Sequence, residues 1–132
     1  MKKIVWTDEY SVGIDSIDGQ HKKIIELINI LIEHHNDSVK SDTVFNVLQE
    51  MMKYAQKHLD DEEKLLEKYE YPELMQHTSI HVAYLEHVAN FSFEIMALNN
   101  DISAELLEFL KEWWTQHILQ EDMKYRPFFE QK

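Results

Sequence analysis

Lys57-His58-Leu59-Asp60-Asp61-Glu62, a break at Tyr71-Pro72, and then His77-Thr78-Ser79-Ile80-His81 decide how this chain is read. Residues i and i+4 of an α-helix lie one above the other, so His58 with Glu62, and His77 with His81, each aim two potential metal ligands in one direction. An isolated pair of this kind is also at home on a solvated helix face. Its meaning depends on the residues around it.

Around the first pair, Val44, Val47, Leu48, Met51, Tyr54 and Ala55 precede and Leu65, Leu66 and Tyr69 follow at helical spacing. His58 and Glu62 therefore occupy core positions of a helix over about residues 41–68, with Ser41 as its N-cap. Burying a carboxylate without a partner is costly, so Glu62 calls for a cation or hydrogen bonds. Around the second pair, Leu74, Tyr84, Leu85, Val88, Phe91 and Ile95 define a helix over about 72–99, with Pro72 suited to its first turn. Upstream, Ile24, Ile25, Ile28, Leu31 and Ile32 mark a helix over about 18–35, N-capped by Asp18, and one turn back along that stripe stands His21. Downstream, Leu106, Leu110, Trp113, Trp114 and His117 mark a fourth helix over about 103–121, after which Pro127 limits continuation. Asn36-Asp37-Ser38 and Asn99-Asn100-Asp101 are breaks between helices. Residues 1–16 lack helical periodicity and read as an extended arm whose Trp6, Tyr10, Val12 and Ile14 cover the domain.

Four amphipathic helices with short connections imply an all-α fold, a single domain over 1–132 built as an antiparallel up-down-up-down four-helix bundle with an extended N-terminal arm. That topology brings the start of helix one, the end of two, the start of three and the end of four to one end. His21, His58, His77, His81 and His117 then share one layer with Glu62, all on core stripes. Packing alone gives no reason for that convergence, and a metal site does. His34, His35 and His87 lie off these positions and read as surface residues. Two divalent ions would need bridging carboxylates to relieve their repulsion, and Glu62 is placed for one bridge. For the other, Glu121 is in phase with His117, whereas Asp122 is about 140° away after five residues. Use of Asp122 would require a widened turn such as a π-bulge.

Composition narrows the chemistry. The chain has 132 residues, 44% of them hydrophobic, with only 2 Gly and 2 Pro, which suits one domain of long helices. It has no cysteine, so a metal must be held by imidazole and carboxylate, favouring iron, manganese or zinc. A net charge of −12, from 25 acidic against 13 basic side chains, repels phosphate backbones and anionic membranes. We expect no nucleic-acid partner, no membrane span and a cytoplasmic location, since the N-terminus lacks an apolar leader.

The segments Val12-Gly13-Ile14-Asp15-x-Ile17-Asp18-x-Gln20-His21, His58-x-x-x-Glu62-Glu63, His77-x-x-x-His81 and Trp113-x-x-x-His117-Ile118-x-x-x-Asp122 together resemble the hemerythrins, specifically the small single-domain bacterial ones. The resemblance covers nearly the whole chain. It implies that His77, His81 and His117 hold one iron and His21 and His58 the other. Glu62 and Asp122 would bridge the two Fe ions together with an oxo or hydroxo group, which selects Asp122 over the in-phase Glu121. Leu59, where the family usually has Phe, and Trp114, where an aliphatic residue is common, are mild departures.

The implied function is reversible binding of dioxygen, as carrier, store or delivery agent, by a monomer that is not an enzyme. Six ligands on one iron and five on the other leave one position for dioxygen, beside His21 and His58. We expect an apolar pocket there, bordered by Ile24 or Ile25 and by Ile118 or Leu119. Two other readings are a di-iron oxidase, peroxidase or nitric-oxide-handling enzyme, and an oxygen sensor acting through a separate partner. Oxidative di-iron bundles typically carry Glu and Glu-x-x-His ligands; five neutral imidazoles with two carboxylates favour carriage.

Overall fold

The computed structural model describes the backbone of residues 2–34, 42–98 and 104–131, with side chains for 2–34, 46–90 and 106–131. Four long helices form the bundle: α1 (Asp15–Glu33), α2 (Asp42–Lys68), α3 (Leu74–Leu98) and α4 (Ala104–Gln116). Helix α1 packs on α2 and α4, and α2 packs on α3. Ring contacts between Tyr84 of α3 and Trp113 of α4, 4.2 Å between centroids, join the remaining pair. The expected Ser41 cap, the breaks at Asn36-Asp37-Ser38 and Asn99-Asn100-Asp101, and His35 lie outside the described residues, as do the side chains of Val44, Phe91 and Ile95.

Three boundaries differ from the sequence expectation. Helix α1 starts at Asp15, with Ile14 in the N-cap position and no side-chain cap. Asp18 is therefore inside the first turn, and its carboxylate reaches back to the arm, accepting from the Val12 N–H at 2.8 Å and the Ser11 hydroxyl at 2.6 Å. A carboxylate in a helix's first turn is favoured by the dipole, so Asp18 serves the helix and the arm together. Helix α3 starts at Leu74, because the Leu74 N–H closes a turn onto the Tyr71 carbonyl at 3.2 Å and leaves Pro72 in that turn. At the other end of the same reversal, the Tyr71 N–H reaches the Leu66 carbonyl at 2.9 Å, with Glu70 between them at a left-handed φ of 58°. Finally, Pro127 does not end helical structure: it lies in the first turn of a short helix α5 (Arg126–Glu130), where a missing N–H costs nothing.

The arm is extended apart from one 3-10 turn at Asp8–Tyr10. Asn29 clamps it, accepting from the Ile4 N–H at 2.7 Å and donating to the Ile4 carbonyl at 2.9 Å. Ile4 and Val12 are buried beneath it, and Trp6 and Tyr10 pack half-buried against the core.

Two apolar clusters fill the interior. The larger includes Ile24, Ile25, Ile28, Leu59, Trp114 and Ile118; the smaller joins Val12, Ile17, Leu66, Tyr71 and Tyr125. His21 stands between Ile17 and Ile24 on α1, and His58 and Glu62 between Ala55 and Leu66 on α2. The polar layer is thus held between two dry clusters. Among the described residues no helix is long and apolar enough to cross a membrane.

Candidate metal centre

Each helix delivers its polar side chains to this layer by its own spacing. Helix α2 supplies His58 and Glu62 and helix α3 supplies His77 and His81, each one regular turn apart. Helix α1 supplies His21. The fourth helix needs a different device, because His117 and Asp122 are five residues apart. At His117 the α-helix widens into a π turn over His117–Glu121, and a 3-10 turn over Asp122–Lys124 follows. The wider turn brings Asp122 onto the side of His117, and Asp122 is fully buried while Glu121 stays half-buried and pairs with Lys124 at 3.0 Å. Simple helical phase, which selected Glu121, is overturned here by the backbone.

The seven residues His21, His58, Glu62, His77, His81, His117 and Asp122 meet in one buried layer, none more than 4% exposed. The two carboxylates divide their oxygens. Glu62 turns Oε1 toward His77 Nε2 (2.7 Å) and His81 Nε2 (3.3 Å), and Oε2 toward His58 Nε2 (3.5 Å) and His21 Nε2 (3.6 Å). Asp122 turns Oδ1 toward His117 Nε2 (3.0 Å) and His77 Nε2 (3.1 Å), and Oδ2 toward His21 Nε2 (3.2 Å). One oxygen of each carboxylate therefore faces two of His77, His81 and His117, and the other faces His21, joined for Glu62 by His58. Glu62, His77, His81, His117 and Asp122 offer ligand atoms within 4.8 Å of one another, and so do His21, His58 and Glu62.

Hydrogen bonding within the protein does not account for this arrangement. His81 Nε2 and His117 Nε2 face each other at 3.1 Å. His21 Nδ1 and Nε2, His58 Nε2, His81 Nδ1, His117 Nδ1 and both oxygens of Asp122 are buried without a hydrogen-bond partner. The Asp122 oxygens lie close to imidazole nitrogens, but no proton is aligned between them. Leaving so many buried polar atoms unsatisfied is unfavourable, and cations among these nitrogen and oxygen donors would satisfy them.

Titration behaviour without metal follows from the same crowding. Burial pulls the His21 imidazole down, but Asp122 and Glu62 outweigh it and hold the pKa up at about 9. For His77, burial is likewise outweighed by Asp122 and Glu62, giving about 10. Burial wins at His58, whose pKa is lowered. Burial pushes the Glu62 carboxyl up, yet the surrounding histidines hold it well below the usual range, and Asp122 is depressed too, by His117 and His21. Both carboxylates are thus anions, ready to ligate.

Of the side chains that support the layer, the sequence names Trp113 and Trp114 as helix-stripe and motif residues and gives Tyr125 no part. The Tyr125 hydroxyl donates to Glu62 Oε2 at 3.0 Å from within the smaller cluster. Trp113 stacks on His117 at 4.3 Å between ring centroids. Trp114, fully buried, donates through Nε1 to the Tyr84 hydroxyl at 3.0 Å and lies 5.9 Å from the His58 ring. Tyr125 falls three residues after Asp122, and only knowledge of the π turn would have put it on this face. Of the expected pocket residues, Ile24, Ile25 and Ile118 are buried in the larger cluster. Leu119 is not: it is 37% exposed, because the π turn points His117 and Ile118 inward and carries the next residue out. Of the remaining histidines, His87 is exposed and stacks on Phe109, and His34 is half-buried at the end of α1.

Known proteins share both sequence and fold with this chain. Residues 12–129 match the family model of the hemerythrin HHE cation binding domain. Bacteriohemerythrin of Stenotrophomonas maltophilia is 35% identical over 95% of this chain and 80% of its own length. Bacteriohemerythrin of Clostridium acetobutylicum is 31% identical over 92% of this chain and 97% of its own, and myohemerythrin of Riftia pachyptila 26% over 92% and 90%. A wild-type hemerythrin crystal structure superposes with a TM-score of 0.82 at 22% identity, covering 96% of this chain and 97% of that one. With the matched domain taking in all seven residues of the buried layer, the chain belongs to the hemerythrin family.

Proposed function

We propose that this protein binds dioxygen reversibly at a non-haem di-iron centre, with His77, His81 and His117 holding one iron, His21 and His58 the other, and Glu62 and Asp122 bridging them. The observation that carries this reading is the divided carboxylate: Glu62 presents Oε1 to His77 and Oε2 to His21 and His58, and Asp122 presents Oδ1 to His77 and His117 and Oδ2 to His21. Such a pair of carboxylates spans two cations and lowers their repulsion. When bound, the iron pair supplies the electrons that dioxygen takes up on binding and returns on release.

The chain's own residues do the rest. The donor set, five neutral imidazoles and two anions, leaves a bound pair of divalent ions with a net positive charge. Trp114 lies 5.9 Å from the His58 ring and shares the larger apolar cluster with Ile24, Ile25 and Ile118, and we read these four as the wall that would keep water and outside protons from a gas bound beside His21 and His58. Tyr125, from the smaller cluster, holds Glu62 through Oε2. We place the protein in the cytoplasm as a monomer, a state favoured by its net charge of −12. Its role is carriage or storage, without turnover of a second substrate.

The test is the visible spectrum of the reduced, iron-loaded protein through repeated rounds of air and argon. A band gained in air and lost under argon, round after round, is the expected result. Irreversible oxygen consumption on the first exposure, or sustained turnover with reductant and an oxidisable substrate, would replace carriage with oxidase chemistry.

A further inference from the structure

A pair of hydrogen bonds lies at the edge of the buried layer. His58 Nδ1 lies 2.6 Å from Gln20 Oε1, and Gln20 Nε2 donates to Asp61 Oδ2 at 3.0 Å. Gln20 sits on α1 next to His21, and Asp61 sits on α2 next to Glu62, so the relay ties together the two helices that supply the two-histidine side.

A glutamine amide has one accepting and one donating end and can turn either to its neighbour. The Asp61 carboxylate oxygen accepts at 3.0 Å, so it takes the NH2 end and leaves Oε1 toward His58. An oxygen acceptor at 2.6 Å then requires the proton of His58 to be on Nδ1. The lone pair is thereby on Nε2, the atom that points toward Glu62 Oε2 at 3.5 Å and has no hydrogen-bond partner of its own. With the amide turned over, Gln20 would donate to Nδ1, the proton would move to Nε2, and the imidazole could not ligate. By contrast the Nδ1 atoms of His21, His81 and His117 are without a hydrogen-bond partner, although Glu63 Oε1 lies 3.4 Å from that of His81.

We infer that Gln20 and Asp61 are positioning residues that lock His58 in the tautomer able to ligate and fix its ring orientation, and so set the properties of the iron on the ligand-binding side. The inference rests on the di-iron reading given above. Outer partners of this kind change metal affinity by roughly 10–100-fold when removed. The effect here should fall on one iron of the two. A carboxylate in place of the Gln20 amide keeps the acceptor and adds negative charge, which makes the imidazole a stronger donor.

The experiment uses iron-loaded wild type, Gln20→Leu, Gln20→Glu and Asp61→Leu. Its readouts are iron released to a chelator with time, the absorption spectrum of the oxidised protein with azide, and the reduction potential. In Gln20→Leu, one iron per chain should leave roughly ten times faster or more, while the other leaves at the wild-type rate. Gln20→Glu should restore retention, lower the reduction potential and shift the azide band, which a packing role for Gln20 would not do. Asp61→Leu, which alters neither Gln20 nor His58, should reproduce the Gln20→Leu loss in weaker form. Uniform loss of both irons in Gln20→Leu without rescue by Gln20→Glu would mean a general structural role and overturn the inference. Wild-type retention, azide spectrum and potential in both leucine variants would overturn it as well. Wild-type protein that holds fewer than two irons would defeat the di-iron reading itself, a result distinct from either of these.

Discussion

Helices α2 and α4 each carry a histidine followed by a carboxylate into the same layer, and they do so by different means. In α2 the spacing is four, and a regular helix suffices to place His58 and Glu62 together. In α4 the spacing is five, and the chain must widen into the π turn at His117–Glu121 to place Asp122. A π turn forgoes the better hydrogen-bond geometry of the α-helix and is rare for that reason. Its presence at this point shows what spacing alone hides, that a side chain about 140° out of phase can still reach the layer when the backbone widens. It also redirects everything downstream: Leu119 turns out to solvent, Tyr125 turns in to Glu62, and α5 starts in a new direction.

The largest effect should come from removing the two carboxylates. Asp122→Ala and Glu62→Ala should each lose at least one of two irons, whereas Glu121→Ala should keep both, as read by metal analysis of purified protein. Damage from Glu121→Ala with Asp122→Ala unaffected would restore simple helical phase and discard the contrast between the helices.

Next in size is the metal itself. With free metal roughly 1,000-fold above its dissociation constant, binding adds about 4 kcal/mol to the folded state. Chelated protein should accordingly melt several degrees below the loaded form; equal melting temperatures would show that the layer needs no cation.

The chelated protein should also respond to pH in a definite direction. His21 and His77 have folded pKa values of about 9 and about 10, raised from 6.5. A raised folded pKa gives stability that is fully present below about 6.5 and is lost as pH climbs through the folded values. Thermal melts of metal-free protein should therefore fall between about pH 7 and pH 10. The loaded form, in which these nitrogens are taken up by metal, should fall less.

Within the π turn, adjacent residues should behave oppositely. Ile118→Ala removes a fully buried side chain and should cost about 2–5 kcal/mol in denaturant unfolding. Leu119→Ser, at an exposed position, should stay within about 0.5 kcal/mol and leave the rate of oxidation in air unchanged. A marked oxidation phenotype for Leu119→Ser would mean that the π turn is not held as described. A loss at or below that of Ile118→Ala belongs to the link from Tyr125 to Glu62. Tyr125→Phe removes one hydrogen bond to a carboxylate and should cost about 1.5–3 kcal/mol, with iron content retained.

The bundle, its antiparallel order and the layer of five histidines were legible in the sequence because each rests on periodicity, and helices α1 to α3 keep that period through their functional residues. Legibility ended where the period changed. From residue phase alone Glu121 faces the centre, and only the family resemblance points to Asp122; between Ile118 and Leu119 the sequence leaves the pocket residue open, and the π turn buries Ile118. Asp18 was legible as a helix-start residue but not as the anchor of the arm, since its contacts to Ser11 and Val12 depend on how the arm folds back. Gln20 and Asp61 stood in plain view beside His21 and Glu62, yet their role follows from a contact between helices that no single helix encodes.

The clasp at the site end of the bundle bears on biosynthesis. Arg126 donates through Nη1 to the Ser11 carbonyl at 2.7 Å, joining the arm before α1 to the short helix after α4, and Gly13 beside it takes a φ of 81° with the Arg126 side chain 3.7 Å from where a Cβ would stand. The seven residues of the layer are spread from position 21 to position 122, so on the ribosome His21, His58 and Glu62 are made well before His117 and Asp122. Ligand groups presented early and singly are open to capture of the wrong ion. Here the layer is completed only once Asp122 has left the exit tunnel, and the contact of Arg126 to the arm forms after it.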